Sequence, residues 1–272
     1  MPFAELTESK IYWEQHGSGE DIIFIHGAGG NSLSWWQQIA EFRRQYTCTV
    51  YDARGWGRSV PKENISHDRG VFGRDLADLI QELGIQKSHI VAQSMGGRAV
   101  IGLLQAAPQT VRSLTLCGTT AGATNDRIRE LQDSLKIERA NKKLYEYSLS
   151  PSFTKNNVPL ATLYHQIRRL NPPRNKGVLG RPPKNYKGST HEILTGIARP
   201  DASMKTHQIP VLYVVGEHDK ITSPEMIREA ATLVKHSKIR EFKDAGHSVY
   251  FEQADEFNAL LREFFKETEL TD

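Results

Sequence analysis

Short apolar runs of five or six residues alternate along this chain with longer stretches whose apolar positions recur at helical spacing. The short runs predict strands over Lys10–Glu14, Asp21–Ile25, Thr47–Tyr51, Ser88–Ala92, Ser113–Cys117, Pro210–Val215 and Lys238–Phe242. The longer stretches predict helices over Leu33–Arg43, Asp68–Leu83, Met95–Ala107, Pro224–His236 and Ala254–Lys266. In the last of these Phe257, Leu260, Leu261, Phe264 and Phe265 make a stripe that suits burial against a core and carries no chemistry. Strands that alternate with helices imply an α/β fold, with a mostly parallel sheet flanked by crossover helices.

Between Cys117 and Pro210 the alternation stops, so the expected organisation is a core of residues 1–121 and 207–272 with an insertion at 122–206. The insertion opens on a charged, helix-prone stretch from Asn125 to Tyr147, while Leu170 to Gly188, rich in Pro, Gly and basic residues, predicts loop. Thr124 to Thr206 holds 16 Lys plus Arg against 7 Asp plus Glu, and the remainder holds 19 against 25. The basic charge is thus concentrated in the insertion.

Composition narrows the function classes. With 272 residues, 38% hydrophobic and 25% charged, the chain reads as an ordinary globular protein rather than a disordered, collagenous or coiled-coil one. A net charge of +3 is too small to imply a nucleic-acid or membrane partner. The N-terminal residues MPFAELTESKIYW lack the basic and apolar segments of a secretory leader, and no run approaches a membrane span, so the expected location is cytoplasmic. Cys48 and Cys117 lie in apolar runs and read as buried core thiols.

The chemistry is concentrated in SHIVAQSMGGRAVIGLL, where an apolar strand leads through Ser94 directly into a helix. Such a strand-to-helix turn strains the serine backbone and needs small residues two positions to either side, which Ala92 and Gly96 supply. Serine is a poor nucleophile without a histidine base, itself oriented by a carboxylate. His247, in DAGHS, is the candidate base; Asp219, at the end of VLYVVGEHD, is the candidate acid. Glu217 lies two residues earlier and would share a face with Asp219 if the strand continued, whereas Asp244 reads as a turn residue. The strand IIFI runs into HGAGG, whose exposed amides can face a developing oxyanion, with the N–H groups of Ala28 and Met95 as donors. The same glycines lack the spacings of phosphate-binding loops.

HGAGG, the turn YDARGWGRS, AQSMGG, GEHD and AGHS together resemble the α/β-hydrolase superfamily, over residues 20–120 and 210–266. The resemblance implies an α/β-hydrolase fold with a variable cap, into which the insertion falls, and favours Asp219 as the acid. It gives Asp52, Arg54, Arg58 and His26 scaffolding roles. The departure is Ala92, where the family's elbow usually begins with glycine. The implied activity is cofactor-independent hydrolysis of a small-molecule carboxylic ester or related acyl substrate. Carbon–carbon bond hydrolases and lactonases with the same triad are alternatives, as is a hydrolase-like small-molecule receptor. The carbon–carbon hydrolases typically carry HGxGPG and a tryptophan after the histidine, where this chain has Asn31 and Ser248. The remaining histidines show no metal-ligand spacing, so no metal is expected. Two further readings concern specificity: the basic insertion either steers anionic substrates or is solvated surface, and Trp35 and Trp36 either line an acyl pocket or pack the first helix.

Overall fold

A computed structural model describes residues 2–62, 70–139, 143–172, 209–234 and 236–269. Among them the apolar runs pair into one sheet of nine strands: β1 (Phe3–Glu5), β2 (Ser9–Gly17), β3 (Glu20–Ile25), β4 (Tyr46–Tyr51), β5 (Val60–Pro61), β6 (Ser88–Gln93), β7 (Val111–Cys117), β8 (Val211–Gly216) and β9 (Lys238–Phe242). The order is β1-β2-β4-β3-β6-β7-β8-β9, with β5 on β2. Neighbours from β4 to β9 are parallel; β1, β2 and β5 pair antiparallel at one edge. All seven expected strands occur. The two additional ones, β1 and β5, are three and two residues long, too short to leave a period in the sequence. β2 extends past Glu14 because its pairing with β4 runs as far as Gly17 opposite Thr47.

Successive side chains on a strand face opposite sides, and β3 uses both. Ile22 and Phe24 join one buried cluster with Phe257, Leu261 and Phe265, while Ile23 and Ile25 join another with Leu76, Leu79, Val100 and Leu103. Helices α2 (Val71–Glu82), α3 (Gly96–Ala106) and α7 (Pro224–Leu233) cover the second face. The first is covered by α1 (Trp36–Phe42), α8 (Val249–Glu252) and α9 (Ala254–Glu269). The predicted stripe of α9 is buried at Phe257, Leu261, Phe264 and Phe265. Both cysteines are buried and unpaired, and burial raises both thiols, Cys48 to about 12.

The start of α1 and the end of α7 differ from the expected boundaries for local reasons. Residues 32–35 form a 3-10 turn capped by the Asn31 side chain, so α1 begins only at Trp36. The expected helix start at Asp68 lies outside the described residues; α2 is helical from Val71. α7 starts where Ser223 accepts from the Met226 N–H and Pro224 takes the first helical position, and it ends at Leu233 rather than His236, with Val234 extended.

Between β7 and β8 the chain forms α4 (Asp126–Glu138), α5 (Pro151–Asn156) and α6 (Val158–Arg169). The loop expected from Leu170 is described only as far as Pro172. These helices do not share a core of their own. Ile128 and Leu135 of α4 join the α2, α3 and α7 cluster, whereas Phe153, Ala161 and Ile167 of α5 and α6 join the α9 cluster.

The turn after β4 is held by ions inside the protein. The Asp52 carboxylate accepts from the N–H groups of Ser32 (2.7 Å) and Arg58 (2.8 Å), and the Ser59 hydroxyl donates to the Asp52 carbonyl and accepts from the Tyr12 N–H. Arg54 binds Asp75 through two parallel hydrogen bonds of 2.8 and 2.6 Å, and Ser9 donates to the same carboxylate. Only 2% of the Arg54 side chain and 4% of the Asp75 side chain is exposed, so neither charge can fall back on water if its partner goes. Arg54→Met should therefore destabilise the protein by about 3–5 kcal/mol. Urea unfolding measures it, and a loss below about 1 kcal/mol would contradict a structural role for this pair.

Candidate active site

Parallel pairing sets the C-terminal ends of β6, β7 and β8 side by side, and the chemistry-bearing residues follow those ends. Ser94 comes directly after β6 with φ of 50°, a left-handed conformation that a non-glycine residue adopts only against steric cost. Its N–H donates to the Cys117 carbonyl at the end of β7 (2.9 Å). Two residues on, a Cβ at Gly96 would lie 2.8 Å from the Ile25 carbonyl oxygen, so the start of α3 reaches the end of β3 only without a side chain there. Ala92, on the other side, is fully buried, and its extra methyl is accommodated.

Asp219 follows β8 in a turn closed by its N–H on the Gly216 carbonyl. One carboxylate oxygen accepts from the N–H groups of Ile221 (2.8 Å) and Thr222 (2.9 Å), and the other lies 2.7 Å from His247 Nδ1. Both side chains are almost wholly excluded from water. β8 ends at Gly216, so strand alternation does not carry Glu217 to the same face as Asp219. Glu217 instead accepts from the Asp244 N–H at the surface. Asp244 occupies a turn with φ of 56° and does not bond the His247 ring.

Ser94 and the His247–Asp219 pair both border the Cys117–Gly118 segment, Ser94 through its N–H on Cys117 and His247 beside Gly118, with no hydrogen bond between the Ser94 and His247 side chains. Gly118 has φ of 58°, and a Cβ there would lie 2.8 Å from His247 Nδ1 and 3.2 Å from Asp219 Oδ2. Gln93, next to Ser94, donates to the His247 carbonyl at 3.4 Å. The loop after β3 closes the other side: a Cβ on Gly27 would lie 3.1 Å from Ser94 Cβ. Neither the Ala28 nor the Met95 N–H donates to an acceptor among the described residues.

The expected scaffolding residues lie behind this loop. His26 is fully buried; its Nε2 accepts from the Ala53 N–H (2.9 Å) and its Nδ1 lies 2.8 Å from the Gly27 carbonyl. Trp35 packs at 4.3 Å from the Tyr250 ring and is fully buried, so it belongs to the core, while Trp36 is 40% exposed.

Several groups at the site carried no sequence signal. Glu252 accepts from the Gly246 N–H (3.0 and 3.1 Å) and from the Ser150 N–H (2.9 Å), joining the turn before His247 to the start of α5. Burial raises its pKa. The Tyr164 and Ser248 hydroxyls are 2.8 Å apart, joining α6 to the same turn. Gly118 was visible only as one more glycine after a strand. Among the described residues, two side-chain groups lie close enough to share a cation, Glu20–His89–Glu269 and the exposed Glu217–His218–Asp244. Neither contains Ser94 or His247.

A family model described as alpha/beta hydrolase fold matches residues 22–254. The chain belongs to that family. This α/β hydrolase is 24% identical over 274 residues to a 2-hydroxy-6-oxononadienedioate/2-hydroxy-6-oxononatrienedioate hydrolase of Burkholderia vietnamiensis, covering 96% of this chain and 92% of the relative. It is 25% identical over 251 residues to an uncharacterized carboxylesterase of Bacillus subtilis, covering 90% and 78%. Its fold is similar to that of a thermophilic esterase from Thermogutta terrifontis solved with malate bound, with a TM-score of 0.76, 21% identity, and 97% and 96% of the two chains covered. The fold, the family and the enzymatic class expected from the motifs are those found. No described helix of this α/β hydrolase is long and apolar enough to cross a membrane.

His26 makes one property of this α/β hydrolase depend on pH. Burial holds its imidazole below the ordinary value of 6.5, so below pH 6.5 the unfolded chain binds a proton that the folded one refuses. Stability should then fall with acid by up to about 1.4 kcal/mol per pH unit from this group, until the folded-state pKa is reached. Chemical denaturation between pH 7 and 5 should show a shallower acid slope for His26→Gln. An unchanged slope would place the acid sensitivity elsewhere.

Proposed function

We propose that the protein hydrolyses a carboxylic ester of a small molecule through an acyl-enzyme, with Ser94 as nucleophile, His247 as base and Asp219 as its orienting acid. The observation that carries this reading is the buried 2.7 Å contact of His247 Nδ1 with Asp219, and it is supported by a serine held in a left-handed backbone conformation at the end of a neighbouring strand. A carboxylate on Nδ1 keeps the proton there and leaves Nε2 able to accept the serine proton.

In the first half-reaction the Ser94 proton passes to His247 Nε2 as Oγ bonds to the substrate carbonyl carbon, and the carbonyl electrons move onto oxygen. The Ala28 and Met95 N–H groups donate to that oxyanion. Collapse breaks the bond to the alcohol, which leaves with the proton from His247. Water repeats the sequence, giving its proton to His247 and its oxygen to the acyl group, and Ser94 is regenerated as the acid departs. The chemistry uses only groups of this chain, and residues 122–206 serve as the cap over the site.

The relationship to a hydrolase of 2-hydroxy-6-oxononadienedioate supports a second reading, in which the same residues cleave a carbon–carbon bond or a lactone. A panel of aryl esters, lactones and vinylogous keto acids separates the readings by relative kcat/KM. A receptor that reacts once would give a burst without turnover.

Two variants test the assignment. Ser94→Ala should abolish covalent labelling by a fluorophosphonate and lower kcat by about 10⁴- to 10⁶-fold; a variant that still hydrolyses esters at the parental rate removes Ser94 from the mechanism. In Gly118→Ala the new methyl displaces the His247 ring, and a shift of about 1 Å at a reacting group costs roughly 100-fold. Steady-state kinetics should show the loss in kcat, and a loss confined to KM would argue against ring displacement.

A further inference from the structure

One carboxylate grips the turn that carries His247 on both sides of the imidazole. Glu252, on α8, accepts from the Gly246 N–H through both oxygens (3.0 and 3.1 Å), and the Ser248 backbone hydrogen-bonds to the same group. Gly246 and Ser248 are the residues immediately before and after His247. The ring therefore projects from a stretch of backbone whose flanking peptides share one acceptor. Hydrogen bonds from N–H groups to an ionised carboxylate are roughly twice as strong as neutral ones.

The same carboxylate reaches out to the segment between β7 and β8. Its Oε2 accepts from the Ser150 N–H (2.9 Å), and the Ser150 side chain hydrogen-bonds to it as well. Ser150 caps α5, and Ser152 adds a second tie by donating to the Asp244 carbonyl (3.2 Å). Backbone meets backbone here with no side chain between. A Cβ on Gly246 would lie 2.5 Å from the Ser150 nitrogen and 2.7 Å from the Leu149 carbonyl carbon, and a Cβ on Gly216, where β8 stops, would collide with the Gly246 carbonyl oxygen. The Gly246 peptide is thus held between the end of β8 and the start of α5.

We propose that Glu252 is a positioning residue for the base: its carboxylate fixes the peptides on either side of His247 to the start of α5, so that this segment as well as the sheet sets where the imidazole stands. The inference rests on the acyl-transfer reading above and deepens it, adding a residue that touches neither substrate nor reacting atoms. Asp219 orients the ring through Nδ1; Glu252 sets the backbone from which the ring projects. A glutamine in its place would offer one acceptor oxygen and turn an NH₂ group toward N–H donors, so at least one of the amides around it would lose its partner.

The test uses p-nitrophenyl acetate and a fluorophosphonate on the full chain. Glu252→Gln should lower kcat by about 10- to 100-fold, the loss expected when a reacting group shifts by up to about 1 Å. Both half-reactions use the same base, so KM should change little. Covalent labelling should slow by a similar factor and still reach the parental extent. Fewer labelled sites, each with the parental kcat, would mean that Glu252 only supports the fold and would overturn the proposal. Should Glu252→Gln fail to fold, Glu252→Asp keeps the charge but draws it back along the chain, and the same readouts decide. A signal independent of turnover keeps the two readings apart. With ¹⁵N-labelled histidine, the ring resonances of His247, assigned by their loss in His247→Gln, should shift in the Glu252 variant while those of His26 stay in place. That shift, in a parent that neither labels nor turns over, sinks the hydrolase reading and leaves the positioning role standing; turnover by the parent with His247 resonances unmoved in the variant does the reverse.

Discussion

Parallel strands in register end together, and from that constraint the rest of the site follows. Cys117 pairs with Gln93 on one side and with Val214 on the other, so the chain leaves β6, β7 and β8 at one edge of the sheet. Ser94, Gly118 and Asp219 are the residues that each strand delivers there. No long-range electrostatic attraction is needed to assemble them, because backbone hydrogen bonds have already fixed the spacing. The local terms are then small adjustments: a left-handed serine, a glycine that lets a ring pass, and a carboxylate satisfied by two turn amides before it meets the imidazole.

His247 is the exception, since it comes from the segment after the edge strand β9 rather than from the middle of the sheet. Its loop is held by Glu252, by the Gln93 side chain and by the Tyr164–Ser248 hydroxyl pair. Glu252 also accepts from Ser150, and Tyr164 belongs to α6. The segment between β7 and β8 is thus mechanically joined to the loop of His247 as well as to the loop of Ala28. A change of conformation in α5 or α6 would be felt by both.

The electrostatic design places opposite demands on neighbouring groups. Asp219 and Asp52 each accept two backbone amides inside the protein, so the oxygens of these buried side chains do not go without partners. His26 accepts an amide on Nε2 and so can act as a wedge between two loops only while neutral.

What could be read from the chain alone was whatever has a short period or a short spacing. Alternating apolar runs specify parallel strands and crossover helices because each must bury one face or both, and the elbow around Ser94 is legible because its strain is local to five residues. Chain order then named His247 and Asp219. What had no local signature was decided by tertiary structure. That Glu217 does not share a face with Asp219 depends on β8 ending at Gly216, an end point the apolar pattern left open. Gly118 acts on His247 and Glu252 on partners 6 and 102 positions away, and contacts across such distances leave no period in the sequence. Even the basic surplus of the insertion was visible only as a sum; that the end of α6 is tied to the loop following β3, through Asn31 and Asn171, became apparent only in the folded chain, because those partners lie more than a hundred residues apart.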